Sequence, residues 1–101
     1  MHMAFFIRLT RLAFEDLEKV PAHDRGRIMD AIEDNLSHQP LTPSRHRKPL
    51  IGLEPPWDQL RPVWQLTVEP YRIFYDADPD DRHVMIQAVR AKGRKTTEEI
   101  L

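Results

Sequence analysis

Two stretches of this 101-residue chain collect cations. Arg45, His46, Arg47 and Lys48 form the first. The second runs from Arg82 to Lys95 and holds five positive side chains (Arg82, Arg90, Lys92, Arg94 and Lys95) with no acid among them. Guanidinium and ammonium groups suit phosphates, because they donate several hydrogen bonds and keep their charge near neutral pH. The acids gather elsewhere: Glu15, Asp16 and Glu18; Asp30, Glu33 and Asp34; and Asp76, Asp78, Asp80 and Asp81. The formal net charge of −1 therefore conceals segregation, which matters more for the choice of partner than the sum does.

Other chemistry finds less support. Without cysteine the chain has no thiolate nucleophile and no disulfide, which suits a reducing compartment. Ser37 and Ser44 lack the neighbourhood of a catalytic triad. The five histidines (His2, His23, His38, His46 and His83) show no ligand spacing, so neither a metal site nor a cofactor is expected. His46 and His83 are candidates for proton transfer, since imidazole exchanges protons near neutral pH; the plainer reading of each is a surface histidine. Trp57 and Trp64 could stack on bases, but Trp64 alternates with core residues and is expected inside, as is Tyr75.

The elements that must position these groups follow from hydrophobic period and turn chemistry. A chain of this length holds one domain, spanning residues 1–101. Phe5 to Leu9 reads as a first strand, and Thr10 as the N-cap of a helix with Ala13, Leu17 and Val20 at helical spacing. Pro21 ends that helix. A second helix is expected from Ala22 or Asp24 to about Ser37, with Ile28, Ala31, Ile32 and Leu36 along one face. From Gln39 to Pro62 the chain holds six of its nine prolines and reads as an extended, partly rigid connection. Trp64, Leu66 and Val68 then alternate with Gln65, Thr67 and Glu69 as a half-buried strand. After a turn at Glu69-Pro70, Tyr71, Ile73 and Tyr75 alternate with Arg72, Phe74 and Asp76. Asp78-Pro79-Asp80-Asp81 is a second turn, and His83 to Val89 is an apolar strand from the middle of a sheet. The fold class is α+β: a two-helix hairpin on a mostly antiparallel sheet, in the order β-α-α-β-β-β.

Period-2 geometry puts Gln65 and Thr67 on the face opposite the helices, with Arg72 on the matching face of the next strand. Bordered by Arg45, Arg47 and Lys48 and by Arg90, Lys92, Arg94 and Lys95, this face is a candidate anion-binding surface. The plainer alternatives are a salt bridge of Arg72 with Glu69 or Asp76, worth little at a surface, a solvated basic tail, and basic loop residues that only aid solubility. No stretch approaches the ~20 apolar residues of a membrane span. The short apolar run after Met3 lacks a basic leader, so no signal peptide is expected and a cytoplasmic location is. Met1-His2 reads as a cloning remnant.

Several segments together resemble the RelE/ParE toxin superfamily: Arg47-Lys48-Pro49-Leu50-Ile51-Gly52-Leu53, Trp64-Gln65-Leu66, Tyr71-Arg72-Ile73-Phe74-Tyr75-Asp76, Ala88-Val89-Arg90 and Lys92-Gly93-Arg94. The resemblance spans nearly the whole chain. It implies the toxin of a type II toxin–antitoxin pair of the kind linked to plasmid stabilisation, with a cognate antitoxin as partner. RelE-like members cleave messenger RNA on the ribosome without a metal, the RNA 2′-hydroxyl acting as nucleophile. By that resemblance Arg72, Lys92 and Arg94 are the catalytic cations, and Arg45, Arg47, Lys48, Gln65, Thr67, Arg90 and Lys95 contact RNA. A preorganised donor of this sort contributes ~10²–10³ in rate. The chain departs from the pattern at Gln65 and Thr67, where RelE-like members carry lysines, and in lacking a C-terminal tyrosine. Two alternatives follow: a ParE-like inhibitor of DNA gyrase that cuts nothing, and a degenerate module that only binds antitoxin.

Overall fold

The computed structural model describes residues 4–59 and 61–101. Met1 and His2, including their reading as a remnant, lie outside the described residues.

The first strand, β1 (Phe6–Leu9), leads directly into α1 (Arg11–Glu18). The switch is made by Thr10, whose hydroxyl accepts the Ala13 N–H at 3.1 Å and donates to the Gln87 carbonyl at 3.2 Å, capping the helix and tying it to the sheet. After Pro21, α2 (Ala22–Leu36) buries Ile28, Ile32 and Leu36, which share one face at helical spacing. The remaining strands are β2 (Arg47–Pro49), β3 (Trp64–Val68), β4 (Tyr71–Asp78) and β5 (His83–Ala91), followed by a short α3 (Thr97–Ile100).

The five strands form one mixed sheet in the order β1-β5-β4-β3-β2. Only β1 and β5 run parallel; the other neighbours are antiparallel, as the short turns between β3, β4 and β5 require. The Glu69–Pro70 peptide in the first of those turns is cis. Both long helices lie on one face, and the main core between them and the sheet contains Leu17, Ile28, Ile32, Trp64, Leu66, Ile73, Tyr75 and Ile86.

Two features depart from the sequence reading. Arg47–Pro49, within the expected extended connection, pairs with β3 as an edge strand. Pro49 is tolerated there because an edge strand needs no donor on its outer side. The larger departure lies on the far face of the sheet, which is not open. Phe74 and Ala88 are fully buried there with Val63 and Ile100, under Leu50, Trp57 and Leu101. Thr96 starts α3 through a capping box with Glu99, and burial of Ile100 (6% exposed) supplies about 2 kcal/mol. A helix of this length would not persist without such docking.

A cation-lined groove on the far sheet face

Register decides which side chains meet. Lys48 pairs with Gln65, Gln65 with Phe74 and Thr67 with Arg72, so all five point away from α1 and α2. At the end of the sheet nearest Arg72, Lys48, Gln65, Thr67 and Arg72 line a groove of about 520 Å³. Arg45, His46 and Lys48 wall it on the β2 side, Thr67, Glu69 and Arg72 form its floor, and Lys92, Thr96 and Thr97 wall it on the C-terminal side. Three distant parts of the chain thus bring cations to one concave surface, and among the described residues Glu69 is the only acid lining it. Among the described residues, no group of three or more His, Asp or Glu side chains is placed to hold a metal ion.

Arg72 sits half-buried at the floor. Its Nη2 donates to Glu69 Oε1 at 3.1 Å and its Nη1 to its neighbour's carbonyl, Tyr71 O, at 3.0 Å. The Glu69 side chain is 73% exposed against 13% for Arg72, so the carboxylate is a solvent-screened partner that can swing away. A guanidinium has five N–H donors, and these two bonds leave a fork for an incoming anion. Lys92 is fixed by its backbone N–H, which donates to Pro70 O at 2.8 Å. Ser44 Oγ accepts the N–H groups of His46 and Arg47, each at 3.2 Å, and so shapes the loop that presents Arg45 and His46.

Of the expected contributors, Arg47 and Gln65 line the groove but are engaged within the fold, whereas Arg90, Arg94 and Lys95 do not line it. Arg47 pairs with Leu66 and therefore faces the helices. Its Nε donates to Thr42 O at 2.9 Å, and its Nη1 to Asn35 O at 3.0 Å and Asn35 Oδ1 at 3.2 Å. This cation staples α2 to β2, so its guanidinium is engaged within the fold. Arg90 shares the row of Arg72 but turns toward α1, where Nη1 donates to both oxygens of Asp16 at 2.7 Å and Nε to Ile100 O at 3.0 Å. Gln65 points to the expected face yet is only 3% exposed, because Thr97 Oγ1 donates to its Oε1 at 3.3 Å from above. Arg94 and Lys95 are exposed and do not line the groove. The chain turns at Gly93 (φ 55°), a left-handed conformation that suits glycine, and Lys95 N–H closes the turn on Lys92 O at 3.0 Å, so successive cations splay apart.

Of the two candidate histidines, His46 lines the groove. His83 lies at the opposite end of the sheet, pairing with Phe6 in β1, its ring 6.0 Å from the Phe6 ring. Both tryptophans are packing residues: Trp64 lies 6.3 Å from Tyr75 on the core face and Trp57 6.0 Å from Phe74 on the other. Thr96 and Thr97 are groove residues that the sequence reading passed over. The signal was present in Thr96-Thr97-Glu98-Glu99, a capping-box pattern that marks a helix start.

Comparison with known proteins gives three kinds of result. Residues 7–95 match the family model of the ParE toxin of the type II toxin–antitoxin system parDE. The fold is similar to a chain of the RelBE2 toxin–antitoxin complex of Mycobacterium tuberculosis, with 27% identity, a TM-score of 0.67, and coverage of 85% of this chain and 95% of that one. It is also similar to a chain of the RelE–RelB complex of Pyrococcus horikoshii (17% identity, TM-score 0.70, 91% and 99% covered). A chain of the RelB–RelE complex of Methanococcus jannaschii is likewise similar (22% identity, TM-score 0.54, 80% and 85% covered); these last two likenesses concern the fold alone. No curated protein sequence matches the chain.

Proposed function

The chain belongs to the ParE toxin family of type II toxin–antitoxin systems, and from that premise we propose that it arrests growth by cutting messenger RNA on the ribosome without a metal. The observation that carries this reading is the convergence of Arg45, Lys48, Arg72 and Lys92 on one groove containing a single carboxylate. A single RNA strand laid there meets cations along its backbone, while Arg72 lies at the floor, where a phosphate would seat. The RNA 2′-oxygen attacks the adjacent phosphorus and the 5′-oxygen leaves, giving a 2′,3′-cyclic phosphate and a 5′-hydroxyl. Arg72 stabilises the extra negative charge of the five-coordinate state, the kind of preorganised donation that contributes most to such reactions. Lys92, Lys48 and Arg45 hold the flanking phosphates. His46, the imidazole within the groove, takes the 2′-hydroxyl proton, and the leaving 5′-oxygen gains a proton from solvent water.

Translation of a defined message with purified protein and ribosomes, followed by mapping of the RNA ends, tests the proposal. New 5′-hydroxyl ends are expected, and a message left intact at every protein ratio overturns it. The chain works with a cognate antitoxin, a reading supported by the family match and by the similar Mycobacterium tuberculosis structure, solved as a toxin–antitoxin complex. An amphipathic antitoxin segment would cover or displace the basic groups. Pull-down with the product of the adjacent reading frame tests this partnership.

One observation favours a second reading. The two outward positions of β3 are the uncharged Gln65 and Thr67, and Gln65 is covered by α3, so the groove floor carries fewer cations than an RNA-cleaving relative would place there. A gyrase inhibitor needs no such floor. Inhibition of DNA supercoiling by the purified protein, with messages left whole, would select this alternative.

A further inference from the structure

The edge of β5 is built in an unusual way. β1 pairs with β5 only as far as Leu9 against Ile86, so among the described residues no strand lies beside the outer edge of β5 beyond that point. There α1 supplies a side chain in place of a backbone: Asp16 Oδ2 accepts the Val89 N–H at 2.9 Å. The same carboxylate, only 6% exposed, receives Arg90 Nη1 at 2.7 Å on both oxygens. Arg90 in turn donates through Nε to Ile100 O at 3.0 Å. An acid on the helix side of the sheet is thereby linked, through one guanidinium, to the C-terminal helix on the other side.

That linkage bears on the groove. Lys92, Thr96 and Thr97 form its C-terminal wall, and the segment carrying them is held by three hydrogen bonds besides the burial of Ile100. These are Lys92 N–H on Pro70 O at 2.8 Å, Thr97 on Gln65 at 3.3 Å and Arg90 on Ile100 O. The first two bonds come from within the groove region. Only the third is backed by an ion pair, and such charge-assisted, nearly buried bonds are the strong ones. We infer that Asp16 and Arg90 are positioning residues: the pair closes the loop from Ala91 to Ile100 and so holds the Lys92 wall against the groove. This inference rests on the groove being the RNA-binding surface.

Asp16→Asn is the discriminating variant, because an amide oxygen still accepts the Val89 N–H while the charge that orients Arg90 is lost. Circular dichroism establishes that the variant is folded; should it not be, Arg90→Lys, which cannot reach both Asp16 and Ile100 as a fork does, takes its place. Hydrogen exchange at Glu99 and Leu101, whose N–H groups close α3, is expected to accelerate about tenfold or more as the helix opens locally, with β3 and β4 unchanged. Binding of a short fluorescent single-stranded RNA across a salt series is expected to lose about 0.7 from the slope, one phosphate contact, as Lys92→Gln does. The double variant Asp16→Asn/Lys92→Gln is expected to lose no more than Lys92→Gln alone, since both changes remove one contact. Unchanged exchange at Glu99 and Leu101 overturns the inference, and so do independent, multiplying losses in the double variant. If the unmodified protein binds no RNA at low salt, the reading of the groove fails by itself, and exchange still decides the role of the pair.

Discussion

Replacing Arg72 by glutamine separates the action of the groove from the stability of the fold. The stability cost follows from its two partners. Glu69 is 73% exposed, and such a surface pair contributes about 0–1 kcal/mol; the bond to Tyr71 O adds about 1 kcal/mol. A loss of about 1–2 kcal/mol from a domain stable by roughly 5–15 kcal/mol leaves the variant folded. The functional cost is larger. Removing one preorganised donor from a developing oxyanion lowers the rate by ~10²–10³, or about 2.7–4 kcal/mol. The assay pairs denaturant unfolding with cleavage of a defined message on ribosomes and with growth after induced expression. The expected result is a midpoint close to that of the parent, cleavage reduced at least about a hundredfold, and growth restored. Arg72→Lys is expected to keep the salt dependence of RNA binding but not the rate, because an ammonium is a point charge and not a fork. Cleavage by the glutamine variant at the parent rate refutes the assignment, and so does lost activity that merely tracks lost folding.

Three further predictions concern Tyr75 and Asp76, two side chains outside the groove lining. Tyr75 is fully buried and its hydroxyl donates to Pro40 O at 2.5 Å, so Tyr75→Phe leaves a buried carbonyl unsatisfied and is expected to cost about 1–3 kcal/mol in urea unfolding. Burial pushes the Tyr75 phenol up, with the Arg47 charge opposing. The unfolded chain ionises near pH 10, so this stabilisation is whole below about pH 10 and is lost as pH rises toward the folded value. A parent protein that keeps its stability from pH 9 to 11 as well as Tyr75→Phe does counts against that burial effect. Burial also raises the Asp76 carboxyl, against the hydrogen bond from Gln87 and the charge of Arg61. Ionised Asp76 therefore costs the folded state above its unfolded value near 3.9, and the cost is relieved as pH falls through the raised value. Asp76→Asn, which can keep the Gln87 bond, is expected to raise Tm at pH 7, with the gap closing in acid. A lower Tm at neutral pH would show that the carboxylate charge stabilises the fold.

Much of the molecule was legible in the chain before any coordinates. Thr10, Pro21 and the spacing of Ala13, Leu17, Ile28, Ile32 and Leu36 marked the helices, and alternation from Trp64 to Val68 and Tyr71 to Tyr75 marked two strands and their faces. These are local signals: a cap, a fixed φ and a side-chain period act within a few residues. The expected faces hold, with Trp64, Leu66, Ile73 and Tyr75 in the main core and Gln65, Phe74 and Arg72 on the other side. The three-residue β2 was not legible, because so short an edge strand has no period of its own and exists only against β3.

Which cations converge was decided by tertiary structure. Arg47 and Lys48 are adjacent and alike in charge, yet the pleat pairs one with core-facing Leu66 and ties it to Asn35, and pairs the other with Gln65 on the groove face. Arg72 and Arg90 share a row across two strands, but Asp16, 74 residues from Arg90 in sequence, draws the second away. Period two assigns a residue to a face; whether that face is open, as at Thr67, or covered, as at Gln65 beneath Thr97, depends on a segment that arrives from the far end of the chain. Side-chain direction is a property of the local backbone, whereas the availability of a charge depends on every partner the fold brings within about 3 Å.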